Sequence, residues 1–418
     1  MLGYASGNFG KNVLASTMDV FLMFVLTERW GVSPPAAGLV VMIGLVWDGI
    51  CDPLLGRMID GATNRSAMYR GLLFLGAPFV GVLFAIFFVD PGWRGTPIVA
   101  WAVMTVVLFR TAYSVCDVAH NALMMRMTEA PGAAATLSGL RYMFSCLGAL
   151  TVAGFSRTFV DPARDDGSAV ATVTLLAALA YVGTLWLAAA SAPVSSVETP
   201  RSTHTAPISW IMGNRPLLIL LALGFTQALT LPFFARSFAY VGKGVVHDAG
   251  WTGSALTALA MSQLAALPVW MTVASRMARR EILSAALIMI ASGLGVFAIG
   301  GAAMTTGITL FGLGNAGLQM MIWVLLAEAI DHGERRTGVR LEGLPVALLL
   351  LSLKLGAGVS GALLGHGLSL IGWGSSPSLS AVEQHRLMTM AWILPMTGAI
   401  ACLAIVMLTR FERRVANV

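Results

Sequence analysis

The sequence predicts an all-α membrane protein with twelve transmembrane helices in two six-helix bundles around a central cavity. Of the 418 residues, 57% are hydrophobic and only 11% are charged, whereas soluble domains carry about 25% charged residues. Twelve apolar segments are long enough to cross a bilayer as helices. This composition excludes a soluble enzyme, a disordered chain and a nucleic-acid-binding protein.

The predicted spans fall into two groups of six. They cover residues 4–27, 36–59, 71–89, 97–125, 137–159, 169–190, 216–240, 251–275, 282–302, 305–330, 344–371 and 388–409. We therefore expect an N-terminal bundle over 1–190, a central cytoplasmic loop over 191–215 and a C-terminal bundle over 216–418. Spans two and eight end in similar sequences, with Pro53 and Pro268 at matching positions. Internal repeats of this kind are typical of secondary transporters, whose substrate lies between the repeats.

The distribution of positive charge predicts the orientation. Sixteen of the 26 Lys and Arg residues lie in or beside the turns after even-numbered spans and at the C-terminus, against six in the turns after odd-numbered spans. The positive-inside rule then places both termini in the cytoplasm. We expect a monomer in a bacterial-type inner membrane, in contact with lipid and without nucleic acid. The four cysteines show no spacing of a zinc site or a disulfide framework.

Ionisable residues within spans are candidate functional residues, because burying a charge in the bilayer is costly. Asp48 and Asp52 are four residues apart in span two, so both carboxylates lie on one helix face. Two neighbouring carboxylates cannot both stay ionised cheaply without a cation. Either one takes a proton or the pair binds a metal ion. Salt bridges to Lys11 or Lys354 are the structural alternative.

Span four carries a polar stripe around Asp117. Tyr113 and Asn121 flank it at i−4 and i+4, which suits a ligand rich in hydroxyl groups. His120 lies one turn on from Asp117, at i+3, either as a hydrogen-bonded packing residue or as a proton relay.

Other polar residues fall on spans one, four and eleven. Asn12 and Asp19 are two turns apart on one face of span one, and Asp19 either lines the cavity or pairs with Lys11. Lys354 lies in the middle of span eleven, where we expect an acidic partner from the first half. Arg110 we interpret as structural.

The polar run 327–343 joins spans ten and eleven on the predicted cytoplasmic side. It is either a solvated turn or a set of gate salt bridges.

Several segments resemble the glycoside–pentoside–hexuronide:cation symporters, the melibiose-permease-like branch of the major facilitator superfamily. They are YASGNFGKN, WDGICDPLLGRMID, YSVCDVAHNAL, WVLLAEAIDHGERRTGVRLEG and LKLGAG. The resemblance spans nearly the whole chain and implies the major-facilitator fold. It also implies a cation site formed by Asp48, Asp52 and Ser114.

The same resemblance implies the residues that contact the sugar. These would be Asp117, Tyr113, Arg141 and Trp323, and the family's span-eleven lysine corresponds to Lys354. We expect Lys354 and Lys11 to take part in coupling. We also expect Asn12, Asp19, Asn121 and His120 to contribute to the substrate site.

This sequence departs from the family pattern at three places. The span-one acid that contacts sugar is replaced by Asn12, with Asp19 two turns on. The amide between the two cation-site acids is replaced by Cys51, and a thiol is a poor ligand for a hard cation such as Na⁺. The polar pair before Lys354 is replaced by Leu349 and Leu350, which predicts an apolar cavity wall.

The sequence therefore predicts a secondary transporter that couples a cation, H⁺ rather than Na⁺, to symport of a sugar or glycoside by alternating access. We expect no cofactor, and no P-loop motif indicates direct use of ATP. A proton-coupled transporter of the same fold for a non-sugar, amphipathic substrate is the alternative, motivated by the two leucines. No catalytic motif supports a membrane enzyme, and isolated acids do not form the charged ring of a channel.

Overall fold

The computed structural model describes residues 1–60, 65–125, 133–161, 168–192, 208–274, 276–338, 343–374 and 378–409. Within these ranges the chain is helical and contains no strand. The helices in chain order are α1 (Leu2–Ala5), α2 (Gly7–Glu28), α3 (Pro34–Asp60), α4 (Arg65–Phe87), α5 (Thr96–Met125), α6 (Ala133–Phe155), α7 (Arg157–Val160), α8 (Ser168–Ser191), α9 (Ile208–Met212), α10 (Arg215–Val241), α11 (Ala249–Ala274), α12 (Arg279–Ala298), α13 (Ala303–Thr337), α14 (Gly343–Ile371) and α15 (Ala381–Leu408).

Eleven helices in the described part of the chain are long and apolar enough to cross a membrane. The predicted fifth span, 137–159, differs. In α6, the apolar stretch among the described residues is only Gly139–Phe155, which is shorter than the other spans. A break at Ser156 separates α6 from α7. The Ser156 hydroxyl donates to the Ala153 carbonyl at 2.7 Å, a local side-chain bond that competes with continuation of the helix.

The polar run 327–343 is mostly helical. α13 continues to Thr337, well beyond the predicted end of span ten at residue 330. Gly338 then ends it with a left-handed backbone (φ 70°), and its N–H donates to the Glu334 carbonyl at 2.8 Å. A simple solvated turn is therefore wrong for the first part of the run, and residues 339–342 lie outside the described residues.

The contacts divide the chain into two compact units. The first comprises Met1–Thr203, Val246–Ser254 and Gly361–Pro377, and the second comprises His204–Val245, Ala255–Ser360 and Ser378–Val418. The start of α11 and the end of α14 thus pack with the first unit. The sequence-based boundaries at 190 and 216 stay a prediction.

In the first unit, α2 packs against α6 and α8, while α5 packs against α3 and α4. Aromatic side chains fill the core of this unit; Phe21 of α2 stacks on Phe159 of α7, for example, with ring centroids 4.9 Å apart. Polar side chains are buried among these helices, including Lys11, Asp48 and Ser114. Buried charge on apolar helices is the arrangement expected when a membrane protein keeps its functional groups inside.

The second unit is built on α10, α12, α13 and α15. α12 packs against α13 and α15, and α10 also packs against both. Phe234 lies at the centre of this core, with ring centroids 4.9, 4.8 and 4.7 Å from those of Phe238, Phe297 and Phe311.

Candidate functional site

The first unit gathers most of the predicted site residues on four helices: α2, α3, α5 and α6. Helical spacing explains the arrangement on α5, where residues three, four and seven apart share a face. Arg110, Tyr113, Ser114 and Asp117 follow this spacing, so one helix supplies two polar clusters along its length.

The first cluster is centred on an ion pair between Lys11 of α2 and Asp117 of α5. The Lys11 side chain is 9% exposed and that of Asp117 is 24% exposed. The Lys11 Nζ also lies 3.4 Å from His120 Nδ1, and the Tyr113 hydroxyl donates to the Lys11 carbonyl at 3.3 Å. Lys11 therefore pairs with Asp117, and neither Asp19 nor Asp48 is its ion-pair partner.

His120 is fully buried beside this pair. Its ring stacks on Tyr4 with centroids 4.5 Å apart, and its Nε2 lies 3.2 Å from the Tyr4 carbonyl. The Tyr4 hydroxyl in turn donates to the His120 carbonyl. The imidazole is thus stacked on one face and contacted at both ring nitrogens, an arrangement that favours a packing role for His120.

Arg141 of α6 extends the first cluster through two amides. Its Nη2 donates to Asn121 Oδ1 at 2.6 Å and its Nε donates to Asn8 Oδ1 at 3.0 Å. Asn121 Nδ2 then donates to Asp117 Oδ2 at 3.0 Å. The result is a continuous polar chain from Lys11 through Asp117 and Asn121 to Arg141, with donors and acceptors alternating along it.

Close approach of α6 to α2 makes this chain possible. A Cβ atom on Gly148 would lie 2.8 Å from the Phe9 carbonyl oxygen and 3.0 Å from Asn12 Cβ, so a larger residue there would separate the helices. Asn12 itself accepts a hydrogen bond from the Ser16 hydroxyl at 3.0 Å.

The second cluster surrounds Asp48 of α3. Ser114 donates to Asp48 Oδ1, and Arg110 places Nη1 3.3 Å from Asp48 Oδ2 and Nη2 3.5 Å from Asp19 Oδ1. The Asp48 side chain is 3% exposed, whereas that of Asp19 is 47% exposed. Asp19 is thus the open end of this cluster.

Asp52 and Cys51 are also buried on α3. Asp52 follows Asp48 by one turn, as the i, i+4 spacing predicts. Among the residues that the structure describes, no three or more His, Cys, Asp or Glu side chains gather as a metal-binding group.

Arg110 is the residue that the sequence-based interpretation undervalued. The sequence indicates only a structural role for Arg110, but in the structure its guanidinium joins the carboxylates of Asp19 and Asp48 from two different helices. The signal was present, because Arg110 is a charge within a predicted span and lies one turn before Ser114.

Two predicted site residues, Trp323 and Lys354, belong to the second unit. The Trp323 residue on α13 is 51% exposed, and Lys354 on α14 is half-buried. Their roles beside the first-unit residues stay predictions. Leu349 is a correction: it is fully buried, and a Cβ atom on Gly224 of α10 would lie 3.0 Å from its Cδ1. Leu349 therefore packs within the unit and lines no cavity. For the half-buried Leu350 the apolar wall stays a prediction.

An ion pair joins the start of the polar run after span ten to a neighbouring helix. Arg279 Nε of α12 donates to Glu328 Oε1 of α13 at 2.8 Å. This contact ties two helices of the second unit together at their predicted cytoplasmic ends.

The sequence matches a family model, described as MFS/sugar transport protein, over residues 3–413. The chain belongs to this family. It is therefore an integral membrane protein of the major-facilitator fold and a transporter, not an enzyme.

Individual relatives agree with this assignment. The chain is 26% identical to the isoprimeverose transporter of Lactiplantibacillus pentosus over 94% of this chain and 85% of the relative. It is 24% identical to the glucuronide carrier protein homolog of Escherichia coli strain K12, over 89% of this chain and 84% of that one. Among solved structures, a nucleoside transporter superposes with a TM-score of 0.66 at 14% identity, covering 97% of this chain and 99% of that chain. At that identity the structural likeness supports the fold alone.

Proposed function

We propose that this protein is a proton-coupled symporter of a sugar or glycoside that works by alternating access. The observation on which this rests is the polar chain from Lys11 to Arg141, built among apolar membrane helices. Membership of a sugar-transporting family and the names of the relatives support the substrate class. We place the protein as a monomer in a bacterial inner membrane, surrounded by lipid, with both termini cytoplasmic.

The polar chain offers the groups that a sugar ring needs. The Asp117 carboxylate can accept from two adjacent hydroxyls, and the Arg141 guanidinium can donate to two oxygens in a fixed geometry. Asn121 lies between them and can do either. Asp117 and Arg141 are each partly exposed, so a ligand has access to their polar ends.

The substrate groups named for the relatives define the first probes. Isoprimeverose is a glycoside with no formal charge, and a glucuronide carries a carboxylate. Lys11 and Arg141 supply two positive charges against one from Asp117 in the first cluster. The site therefore suits both a neutral glycoside and an acidic one. Competition between the two kinds of glycoside for uptake would show which one binds more tightly.

The coupling ion we assign to H⁺. Asp48 and Asp52 lie buried one turn apart. Two carboxylates so close in a site of low dielectric cannot both stay ionised cheaply, so one of them can take up a proton from a gradient. Cys51, between them in sequence, supplies no hard oxygen ligand for Na⁺.

The test is uptake into proteoliposomes loaded with purified protein. A panel of radiolabelled glycosides is offered under an imposed proton gradient, and separately under an imposed Na⁺ gradient at fixed pH. We expect accumulation of at least one glycoside driven by the proton gradient. Asp117→Asn should abolish uptake, and Asp52→Asn should abolish gradient-driven accumulation while exchange of bound substrate persists.

Asp90→Asn is the matched control, because it removes a carboxylate from an exposed loop pair with Arg94. It should transport as the unmodified protein does. Normal uptake by Asp117→Asn would place the substrate site elsewhere, and accumulation driven by Na⁺ alone would overturn the proton assignment.

A further inference from the structure

Arg110 carries a full positive charge inside a membrane-spanning helix, and the transport cycle proposed above does not use it. Its side chain is 7% exposed. A buried guanidinium stays ionised and needs anions around it. The groups around the guanidinium therefore show which carboxylates neutralise its charge.

The guanidinium bridges carboxylates from two other helices. Nη1 is 3.3 Å from Asp48 Oδ2 on α3, and Nη2 is 3.5 Å from Asp19 Oδ1 on α2. Ser114 donates to the other oxygen of Asp48. Both oxygens of the Asp48 carboxylate consequently face a donor hydrogen.

Helices α3 and α5 approach closely one turn before Asp48. A Cβ atom on Gly44 of α3 would lie 2.4 Å from Val106 Cγ1 of α5, and at 3.9 Å it would make only an ordinary contact with Arg110 Cγ. A larger residue at Gly44 would have to displace the Val106 side chain or separate the two helices. Arg110 Nε has no hydrogen-bond partner among the described residues. The arginine is thus held by its two carboxylates, and not by complete hydrogen bonding.

These contacts occupy the oxygen lone pairs and neutralise the negative charge that a metal cation would need for binding. A hard cation needs several oxygen lone pairs directed at it and negative charge to compensate its own. At Asp48 the lone pairs are directed at Arg110 and Ser114. A second cation would also be repelled by the fixed guanidinium charge a few Å away, in a region where water screens it weakly.

We propose that Arg110 is a tethered counter-cation that occupies the metal-ion position at Asp48 and makes this carrier insensitive to Na⁺ and Li⁺. The proposal rests on the proposed symport, since it concerns which ion can couple to transport. It assigns Arg110 a role in ion selectivity, mediated by the carboxylates it neutralises.

The experiment measures Na⁺ binding directly on the purified protein. Radioactive ²²Na⁺ binding and the Na⁺-dependent change in thermal unfolding temperature are compared with choline at equal ionic strength. We expect no saturable response from the unmodified protein. Arg110→Gln removes the charge and its contacts with both carboxylates, so Na⁺ affinity should rise at least about 100-fold. Repulsion by a nearby unit charge in a partly buried site exceeds the free energy of two factors of ten.

Three further variants separate charge from structure. Arg110→Met is a second neutral variant, which keeps the test valid if Arg110→Gln does not fold. Arg110→Lys retains the charge and should stay insensitive to Na⁺. Arg236→Gln is the matched control, because Arg236 is a buried arginine of the second unit that donates to the Ala357 carbonyl at 2.7 Å. It should also stay insensitive.

The outcomes are distinct from those that test transport. Saturable Na⁺ binding by the unmodified protein, or a folded neutral variant with no Na⁺ response, would refute the role of Arg110. If neither neutral variant folds, Arg110→Lys decides: Na⁺ binding by this charged variant refutes the proposal, and insensitivity supports it. Absence of glycoside uptake in proteoliposomes would instead refute the proposed symport, and would leave the Na⁺-binding result standing.

Discussion

Breaking the Lys11–Asp117 ion pair should destabilise the first unit in a way that depends on which partner is removed. Asp117→Asn leaves an ammonium group whose side chain is 9% exposed. Removing one partner of a buried pair costs about 3–5 kcal/mol, because the other charge stays buried without compensation. Lys11→Met leaves Asp117, which is 24% exposed and keeps the donor of Asn121 at 3.0 Å. We therefore expect a smaller loss, about 1–3 kcal/mol.

The double variant, Lys11→Met with Asp117→Asn, should recover part of that loss. Replacing a buried pair by neutral side chains of similar volume is often close to neutral in stability. Thermal unfolding in detergent provides the assay. At roughly 2–4 °C per kcal/mol for a domain of this size, Asp117→Asn should lower the Tm by roughly 6–20 °C, and the double variant by clearly less.

Asp90→Asn is again the matched control. Its partner Arg94 is 55% exposed, and exposed pairs contribute about 0.2–1 kcal/mol. If Asp117→Asn lowers the Tm no more than this control does, the pair is not the buried contact described above. A double variant less stable than Asp117→Asn would contradict the argument from uncompensated charge.

The remaining predictions concern pH dependence, topology and helix packing. Burial raises the pKa of Asp90, but hydrogen bonds from Arg94 and a backbone N–H outweigh it and hold the pKa below the ordinary 3.8. The Asp90–Arg94 pair therefore stabilises the protein fully above that pH, and this contribution is lost as the pH falls below it. The contribution is under about 1 kcal/mol. Arg94→Gln should flatten the acidic part of a plot of Tm against pH. Ser202 and Ser376 lie outside the described residues and serve as sites for single cysteines. A cysteine at 202 should react with an impermeant thiol reagent only from the cytoplasm, and one at 376 only from outside. The reverse labelling pattern would mean that the topology is inverted. Gly148→Val should reduce both Tm and uptake, because its side chain would meet the Phe9 carbonyl; unchanged values would show that the two helices can separate at no cost.

Sequence spacing predicted the contacts within single helices well. Asp117 and Asn121 are four apart on α5, and their side chains are hydrogen-bonded. The Ser114 hydroxyl assigned to the cation site by family resemblance does contact Asp48. Such results follow because helix geometry fixes which residues share a face.

Partners on different helices were less predictable. The alternatives left open for Lys11 did not include Asp117, which is its observed partner, and Arg110 was not connected with Asp19 or Asp48. Spacing along one helix says nothing about its rotation or depth relative to another. Those depend on packing features such as Gly148, which only the folded structure shows to be a point of close approach.

The boundaries of the helices show the same limit. Hydropathy located the apolar centres, but it could not show that α13 continues through a charged segment to Thr337. It also missed the break at Ser156, where the side-chain hydroxyl donates to the Ala153 carbonyl. Both depend on local polar contacts, to which an average over an apolar window is insensitive.

The polar chain of the first cluster has a consequence for how tightly any sugar can bind. Asp117, Asn121 and Arg141 are hydrogen-bonded to one another in a continuous chain. A ligand must therefore exchange these internal bonds for its own, so that each new hydrogen bond yields only the difference between two good contacts. Weak binding of the correct substrate favours its release on the far side of the membrane. An analogue that lacks one ring hydroxyl would break an internal bond without replacing it. The same network that limits affinity would therefore sharpen discrimination between sugars.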